Sequence, residues 1–428
     1  MRVWKSSALP PNWFKRQTPD ERTDDRVESD VKAIISRVVK NGDAALIELT
    51  EKFDKARLEE KDLRVTPREI EEAYKAVGKE QVAALKFMKN KVSAFEELTL
   101  KQVGFKTSQN GITVQNVLCP IESIGCYVPG GQAAYPSTLI MTAVPAKAAG
   151  VPRIVVCSPP NAEGTVNPLV LVAADICGVN EVYKVGGAQA IAALAYGTET
   201  IKPVRKIVGP GNKYVMAAKI LVSKDVAIDM PAGPSEVLVL ADETANPQFI
   251  ALDMVSQAEH GVDSVAGLIT TSEKLAEEVQ GWLAKTAAGA ERGEIVGKAL
   301  EKYGFIITCK DMAEAVELVN VFAPEHVEVI TRNPEATAEK ITSAGLILVG
   351  SYSPVALSDY GSGTNHVLPT GGFGSAYSGL SALDFARRVS IVESSREGLQ
   401  SVRERVKVMT EAENLPNHYK AVEARFEK

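Results

Sequence analysis

Short apolar segments alternate with glycine-containing turns and with helical patterns through the middle of the chain. Ile124 to Val128 has the apolar run of a buried strand, Pro129-Gly130-Gly131 follows it, and Ser137 to Ala149 has helical periodicity. The same order recurs, with strands predicted over Arg153 to Cys157, Glu181 to Val185 and Lys206 to Val208, and helices over Pro168 to Cys177, Gln189 to Tyr196 and Asn212 to Val222. Strand, turn and helix repeated at this spacing predict βαβ units and a mostly parallel sheet.

The alternation continues after Pro234 and indicates a second α/β domain. Strands are predicted over Glu236 to Ala241, Val265 to Thr270, Gly304 to Thr308, Val327 to Ile330 and Gly345 to Val349, and helices over Pro247 to His260, Glu273 to Ala287, Met312 to Val321 and Pro334 to Ile341. We expect this domain to share its sheet with the N-terminal segment. The stretch from Val355 to Tyr377 is rich in glycine, which is typical of a binding loop.

The two ends of the chain are charged and mostly helical in pattern. Asp24 to Phe53 carries apolar residues at helical spacing, Thr66-Pro67 has the form of a helix start, and Thr113 to Leu118 has the form of a strand. Ser381 to Lys428 is helical in pattern but too short to bury a core alone. We therefore expect this tail to dock on another body, such as a partner subunit.

These patterns predict an α/β protein with two Rossmann-like domains, mostly parallel sheets and a small helical C-terminal tail that docks on the partner subunit. The predicted parts are an N-terminal extension (1–24), a larger discontinuous α/β domain (25–126 and 235–378), an inserted Rossmann-like domain (127–234) and a dimerisation tail (379–428).

Composition narrows the class of protein. The 428 residues are 45% hydrophobic and 24% charged with a net charge of −6, which argues against nucleic acid or an anionic membrane as the main partner. The five cysteines are scattered and form no CxxC pair, as in proteins with reduced thiols. Met1 to Arg16 lacks a signal-peptide pattern, and no stretch approaches the roughly 18 apolar residues of a membrane span. We expect a cytoplasmic protein.

The chain has four histidines, and each lies in a short polar cluster. Gln257 and His260 are three residues apart near the end of a predicted helix, whose C-terminus is electronegative and favours a cation. Asp359 and His366 are expected on one glycine-rich loop. Two imidazoles, a carboxylate and an amide oxygen suit zinc or a similar divalent ion. A polar loop hydrogen-bonded to a helix end explains the same residues without a metal.

Three further features are chemically suggestive. Glu325-His326 places a carboxylate beside an imidazole, as a general base requires, although a polar helix-to-strand connection is the alternative. Cys126 adjoins a glycine turn, where a thiolate could attack an aldehyde, but such cysteines are more often small buried apolar residues. The three strand-to-helix glycine turns could bind phosphate, yet none matches G-x-G-x-x-G. Spacing alone therefore leaves a dinucleotide site undecided.

Long motifs in constant order carry a family resemblance. They are Tyr127-Val128-Pro129-Gly130-Gly131, Val185-Gly186-Gly187-Ala188-Gln189-Ala190-Ile191-Ala192, Val208-Gly209-Pro210-Gly211-Asn212, Pro231-Ala232-Gly233-Pro234-Ser235-Glu236-Val237, Ser256-Gln257-Ala258-Glu259-His260, Ala323-Pro324-Glu325-His326 and Gly363-Thr364-Asn365-His366-Val367-Leu368-Pro369-Thr370. Together they resemble the histidinol dehydrogenases. Ser358 departs from the family pattern, in which a glycine usually precedes the aspartate.

The resemblance implies a homodimer that uses one zinc ion per subunit and NAD to oxidise L-histidinol to L-histidine through L-histidinal. The residues that match metal ligands are Gln257, His260, Asp359 and, from the other subunit, His418. Glu325 and His326 match the acid–base pair. The residues that match substrate contacts are Ser235, His366, Glu413 from the other subunit, the four metal ligands and His326. Tyr127, Gln189 and Asn212 match nucleotide contacts.

Three other functions stay open on the residues alone. A relative with the same zinc and NAD could act on another small polar alcohol. A zinc hydrolase could use the metal and Glu325 to activate water, with purely structural glycine turns. A non-catalytic metal-binding protein is the third alternative.

Overall fold

The structure is a computed structural model that describes residues 1–10, 13, 25–130, 134–230 and 233–427. The strands of these residues are β1 Arg2–Lys5, β2 Phe105–Gln109, β3 Ile112–Pro120, β4 Ser123–Tyr127, β5 Arg153–Cys157, β6 Glu181–Tyr183, β7 Lys206–Val208, β8 Ala227–Ile228, β9 Glu236–Ala241, β10 Val265–Thr270, β11 Phe305–Thr308, β12 His326–Ile330, β13 Leu346–Val349 and β14 Ala386–Ser394. The α-helices of these residues are α1 Asp25–Asp54, α2 Pro67–Ala76, α3 Lys79–Lys101, α4 Pro136–Ala148, α5 Pro168–Ile176, α6 Gly187–Tyr196, α7 Lys213–Val222, α8 Pro247–Ala258, α9 Glu273–Gly289, α10 Gly293–Tyr303, α11 Met312–Phe322, α12 Pro334–Ala338, α13 Val355–Tyr360, α14 Arg396–Ala412 and α15 Pro416–Glu423.

A five-stranded sheet in the order β6-β5-β4-β7-β8 is parallel throughout. Its first strand in the chain, β4, lies in the middle, and every residue of β4 is buried. The chain moves outward through β5 and β6 and then crosses to β7 on the other side of β4. In such sheets ligands bind at the carboxyl ends of the strands, where the direction of crossing reverses.

A six-stranded sheet in the order β1-β11-β10-β9-β12-β13 is also parallel throughout. Along its central strand β9, Val237 and Val239 face one apolar cluster, while Leu238 and Leu240 face the other. Burial on both faces explains why these strands read as continuous apolar runs. The predicted α/β class with mostly parallel sheets is confirmed, and β1 joins this sheet as expected of the N-terminal segment.

The helices before residue 102 pack on the five-stranded sheet. Val31 and Leu46 of α1 lie in one cluster with Ile191 of α6, and Leu85 of α3 lies in another with Leu139 of α4. This packing differs from the predicted grouping of 25–126 with 235–378, because the apolar sides of these helices cover the two faces of the nearer sheet. The other domain bounds stay predictions.

The chain end contains a strand that the sequence did not predict. β14 pairs antiparallel with β3 over its whole length, and β3 pairs with β2, which forms a three-stranded sheet. The prediction of a wholly helical tail was wrong for residues 386–394, because their pairing partner lies far away in sequence. Helices α14 and α15 follow, and the N–H of Ser395 donates to the carbonyl of Gly111 at the β2–β3 turn (2.9 Å).

Two smaller differences bear on the site. Helix α8 ends at Ala258, so His260 lies just beyond the helix rather than in its last turn. Asp359 lies on the short helix α13 rather than on a loop. Within the part of the chain that the structure describes, no helix is long and apolar enough to span a membrane.

Candidate active site

Glu325 and His326 lie where the chain enters β12, between the central strand β9 and the edge strand β13 of the six-stranded sheet. Ala323 ends α11 in the left-handed conformation (φ 48°), which turns the chain through Pro324 into the strand. Both side chains are buried, and Nδ1 of His326 lies 3.7 Å from Oε2 of Glu325. Neighbouring side chains on a strand point apart. These two approach each other because Glu325 precedes the strand, which begins at His326.

The surroundings of His326 define how its ring is protonated. Nδ1 lies 3.2 Å from the carbonyl oxygen of Glu236, which only accepts hydrogen bonds, so Nδ1 carries the proton. The neutral ring then has its lone pair on Nε2, which is buried and has no hydrogen-bond partner among the described residues. An imidazole with a buried, unpartnered Nε2 is placed to accept a proton from a bound molecule.

The negative charges near His326 change its basicity. Burial alone would lower the pKa of His326, but the charge of Glu325, the charge of Asp359 and the hydrogen bond to the Glu236 carbonyl outweigh burial. The pKa of His326 is therefore raised above its usual value. A base with a raised pKa binds a proton more strongly, and a higher pH is needed before it is unprotonated.

Glu236 holds the Glu325 turn in place and was missed by sequence reasoning. Its Oε2 accepts from the N–H of Glu325 (3.3 Å), and its own N–H donates to Oε2 of Glu325 (2.7 Å). Its Oε1 accepts from the N–H of Gly371, within the glycine-rich segment (3.1 Å). Glu236 opens the apolar strand β9, and the only available signal was a carboxylate at a fully buried position.

Asp359 and His366 form the second part of the site. Nδ1 of His366 lies 3.3 Å from Oδ1 of Asp359, and both side chains are mostly buried. Burial alone would raise the pKa of Asp359, but the hydrogen bond and charge of His366 and the charges of His326 and His260 outweigh it. The pKa of Asp359 is therefore lowered, and the carboxylate is charged beside three imidazoles.

The segment that carries His366 is fixed to the other α/β unit. Asn365 is buried, and its Nδ2 donates to the carbonyl of Met141 in α4 (2.7 Å), while its Oδ1 accepts from the N–H of Val367 (2.8 Å). The anchor brings His366 to the boundary between the two parallel sheets. A ligand bound at His366 therefore lies close to both units.

The buried carboxyl group of Glu328 and the half-buried one of Asp253 lie near the start of helix α13. Oε1 of Glu328 accepts from the N–H of Val355 at the start of α13 (2.8 Å), and Asp253 of α8 lies beside it. Burial and the neighbouring Asp253 raise the pKa of Glu328 well above its usual value, and burial raises the pKa of Asp253 to about 6. Glu328 therefore lies between the start of α13, which carries Asp359, and α8, which carries Gln257.

Gln257 and His260 lie at the C-terminal end of α8. Gln257 is buried, whereas His260 is exposed, and no hydrogen bond or ion pair among the described residues uses either side chain. Both sit at the electronegative end of the helix, near the charge of Asp359. The amide oxygen of Gln257 and the imidazole of His260, together with the nearby carboxylate of Asp359, which also contacts His366, fit a zinc ion.

A search of the described residues finds no group of three or more His, Cys, Asp and Glu placed to hold a metal. The predicted ligand set contains only two such residues in one chain, His260 and Asp359, because Gln257 is an amide and His418 is expected from the other subunit. The zinc site therefore stays a prediction.

Glu413 and His418 are not brought to the other site residues within one chain. Glu413 follows α14, His418 lies in α15, and both are exposed. None of the hydrogen bonds and ion pairs of the described residues involves either side chain. Ser235 precedes β9, and its carbonyl accepts from the N–H of Val265 (3.0 Å).

The three predicted nucleotide contacts lie at the carboxyl ends of the five-stranded sheet. Tyr127 ends β4, and its hydroxyl accepts from the N–H of Gly187 (3.1 Å), which begins α6 with a φ of 62°. Gln189 is buried in the first turn of the same helix. Asn212 caps α7, since its Oδ1 accepts from the N–H groups of Tyr214 (3.0 Å) and Val215 (3.2 Å).

Cys126 and the first glycine turn were further predicted features near this edge of the sheet. Cys126 is fully buried, and burial raises the pKa of its thiol to about 12, which leaves almost no thiolate near neutral pH. Gly131 of the first glycine turn and Pro231-Ala232 of the fourth motif lie outside the described residues. This environment argues against a nucleophilic role for Cys126.

Comparison with known proteins identifies relatives over almost the whole chain. The family profile described as histidinol dehydrogenase matches residues 17–426. The chain is 47% identical to histidinol dehydrogenase from Methanothermobacter thermautotrophicus, over 94% of each sequence. It is also 47% identical to the enzyme of that name from Clostridium acetobutylicum, over 92% of this chain and 91% of the relative.

A solved structure gives the same result. Histidinol dehydrogenase from Elizabethkingia anophelis superposes with a TM-score of 0.94 at 38% identity, covering 100% of this chain and 98% of that one. Agreement of sequence and fold over nearly the full length leaves no second family to consider. The chain belongs to the histidinol dehydrogenase family.

Proposed function

We propose that this enzyme oxidises L-histidinol to L-histidine through L-histidinal, the last steps of histidine biosynthesis, with NAD as hydride acceptor. The observation that carries the proposal is the imidazole of His326, whose Nδ1 faces the carbonyl of Glu236 and whose Nε2 is buried without a described partner. It lies between a carboxylate, Glu325, and the Asp359–His366 pair. A two-step oxidation needs two proton-transfer groups of this kind side by side.

Zinc is proposed to bind Gln257, His260 and Asp359 of one subunit and His418 of the other. The free amide and imidazole donors at the end of α8 support the first two, and the lowered pKa of Asp359 supports a charged third ligand. Bound zinc supplies positive charge that holds the imidazole and amine of the substrate and orients its reacting carbon. Ser235, His366 and the second subunit's Glu413 complete the proposed substrate contacts.

His326 acts as base in the first oxidation. Its Nε2 takes the proton of the alcohol while the carbon loses hydride, which gives the aldehyde. Glu325 then takes a proton from water, the water oxygen adds to the aldehyde carbon, and protonated His326 gives its proton to the aldehyde oxygen. This forms the hydrated aldehyde and leaves His326 neutral again. His326 accepts the hydroxyl proton of this hydrate in the second hydride transfer. Base catalysis of this kind contributes about 10²–10⁴ in rate.

Tyr127, Gln189 and Asn212 are proposed to bind NAD. They lie at the ends of β4, β6 and β7, the edge at which parallel sheets of this order bind nucleotides. Asn365 brings the His366 segment against the same unit, so a nucleotide there lies near the substrate. We further propose a cytoplasmic homodimer, in which the charged tail of each subunit completes the site of the other.

One experiment tests the proposed reaction. Zinc-loaded protein is mixed with NAD and a limiting amount of L-histidinol, and reduced nicotinamide and histidine are measured. We expect two reduced nicotinamides for each histidine formed. One reduced nicotinamide and accumulating aldehyde would remove the second oxidation from the proposal. If NAD is reduced with another small polar alcohol but not with histidinol, the substrate is that alcohol and not histidinol. If no nicotinamide is reduced but the protein hydrolyses an added ester or amide substrate, the zinc hydrolase is favoured.

A further inference from the structure

A buried ion pair lies beneath the turn between β7 and α7, away from the proposed catalytic residues. Nζ of Lys219, on α7, contacts Oδ1 of Asp229, which follows β8, and each side chain is only 1% exposed. Removing two charges from water is costly, and such pairs persist where further hydrogen bonds compensate. Because a pair of this kind contributes little net stability, a specific structural role is the better explanation for it.

Both members of the pair bind the backbone of the same residue, Gly209. Oδ2 of Asp229 accepts from the N–H of Gly209 (2.7 Å), and Nζ of Lys219 donates to its carbonyl oxygen (2.9 Å). The donor and the acceptor of this one residue are therefore both held by buried charges. Charge-assisted hydrogen bonds are stronger than neutral ones, so the Gly209 backbone is firmly fixed.

Gly209 lies in direct contact with Tyr127. Its φ is 116°, a conformation that glycine adopts easily and other residues rarely. A Cβ at this position would lie 2.2 Å from the carbonyl oxygen of Tyr127. The pair therefore holds the turn tightly against the end of β4, where the direction of crossing in the sheet reverses.

The turn also connects two of the proposed nucleotide contacts. Tyr127 lies on one side of Gly209, and Asn212 follows three residues later as the cap of α7. A shift of the Gly209 peptide would change the separation of these two side chains. Lys219 and Asp229 thus determine the distance between Tyr127 and Asn212, although they are too deeply buried to touch a nucleotide.

We propose that Lys219 and Asp229 are positioning residues for the dinucleotide, which hold the Gly209 turn so that Tyr127 and Asn212 can bind NAD together. The inference rests on the proposed use of NAD at this edge of the sheet. It predicts that the pair controls affinity for NAD and leaves the binding of zinc and histidinol unchanged.

The test separates positioning from stability. Lys219→Met/Asp229→Leu replaces the pair by apolar groups, which avoids a single buried charge and preserves the fold better than either substitution alone. Lys219→Met/Asp229→Asn retains an acceptor for the N–H of Gly209. The matched control is Arg153→Met/Glu181→Leu, which removes the ion pair at the amino ends of the same sheet (2.9 Å).

NAD affinity is measured by calorimetric titration, together with histidinol affinity, bound zinc and thermal unfolding. We expect Lys219→Met/Asp229→Leu (the Leu variant) to weaken NAD binding about tenfold or more. Lys219→Met/Asp229→Asn (the Asn variant) should weaken it less, about threefold. The control pair should bind NAD as the unmodified protein does. Histidinol affinity and zinc content should stay unchanged in all three variants.

The outcomes distinguish this inference from the proposed function. If the unmodified protein does not bind NAD, or Tyr127→Phe and Asn212→Ala bind it equally well, the nucleotide site itself is wrong. If the site responds to those substitutions but the folded Leu variant binds NAD normally, Lys219 and Asp229 are not positioning residues. Should the Leu variant fail to fold, unchanged NAD affinity in the Asn variant overturns the inference.

Discussion

Glu236 and Glu325 bind each other's backbone amides through their carboxylates. The N–H of Glu236 donates to Oε2 of Glu325 (2.7 Å), and the N–H of Glu325 donates to Oε2 of Glu236 (3.3 Å). The carbonyl of Glu236 also lies 3.2 Å from Nδ1 of His326. One residue at the start of β9 therefore orients both members of the proposed acid–base pair.

Replacing Glu236 by glutamine tests this arrangement. The carboxylate accepts from Glu325 and Gly371, and an amide would present a donor to one of these N–H groups. A buried N–H left without an acceptor costs about 1–3 kcal/mol, so the free energy of unfolding in urea should fall by that amount. Glu277→Gln, on an exposed face of α9, is the control and should change little. Equal stability of both variants would contradict the role of Glu236.

The division of labour between Glu325 and His326 predicts different effects on the two half-reactions. Glu325→Gln removes the group that takes a proton from water but leaves His326 in place. Oxidation of added histidinal should therefore slow by about 10²-fold or more, while oxidation of histidinol to histidinal slows much less. Single-turnover measurements of each step test this. Equal losses in both steps would refute the assignment.

The raised pKa of His326 predicts a pH effect. His326 must lose its proton to act as base, so activity should rise with pH through the pKa of this group. Glu325 stabilises the charged ring, and removing its negative charge makes the proton easier to lose. In Glu325→Gln the acid limb of kcat/KM for the first oxidation should move to lower pH. Glu325→Asp, which keeps the charge, is the control. A limb that moves to higher pH would oppose this sign.

Much of the fold could be predicted because the central strands carry local signals. Strands such as β9 are covered on both faces, so an uninterrupted apolar run marks them. β14 was missed because a strand that is exposed at nearly every position has no such run and is defined by pairing with β3, which lies far away in the sequence. Local patterns describe covered elements well and distant pairing poorly.

The site likewise contains residues that the sequence predicted and residues that it missed. Polar clusters in the sequence pointed to His326 and Asp359. In the structure these two side chains are close enough for the charge of each to shift the pKa of the other. The protonated nitrogen of His326 depends on a carbonyl of Glu236, on another strand, and carbonyl positions have no sequence signature. Glu328 was missed for a related reason, since its partners Val355 and Asp253 lie on separate helices.

The buried thiol of Cys126 predicts that a covalent thioester plays no part. Burial raises its pKa to about 12, and the side chain is fully enclosed. Cys126→Ala should therefore keep both oxidation rates within about twofold, although the smaller side chain lowers stability. Cys119→Ala, at a half-buried position, is the control. Loss of histidinal oxidation alone in Cys126→Ala would restore the covalent alternative.

The exposed tail predicts that two subunits share each site. Glu413 and His418 lie away from the other site residues of their own chain, so a chain lacking residues 413–428 should lose zinc and activity. The α/β body should keep its thermal transition, because its apolar clusters contain none of the described residues of that segment, 413–427. Loss of zinc together with unfolding of the body would mean that the tail is needed for the fold.

Mixed dimers test the sharing directly. His418→Ala and Glu325→Gln chains should each fail to form histidine alone, but a hybrid contains one site with Glu325 from the first chain and His418 from the second, and formation of histidine is the activity measured. Random reassortment makes half of the dimers hybrids, each with one intact site, so about a quarter of the unmodified activity should return. Mixing His418→Ala with His418→Ala chains is the control. If subunit exchange is shown by mass spectrometry and no activity returns, His418 does not act across the dimer.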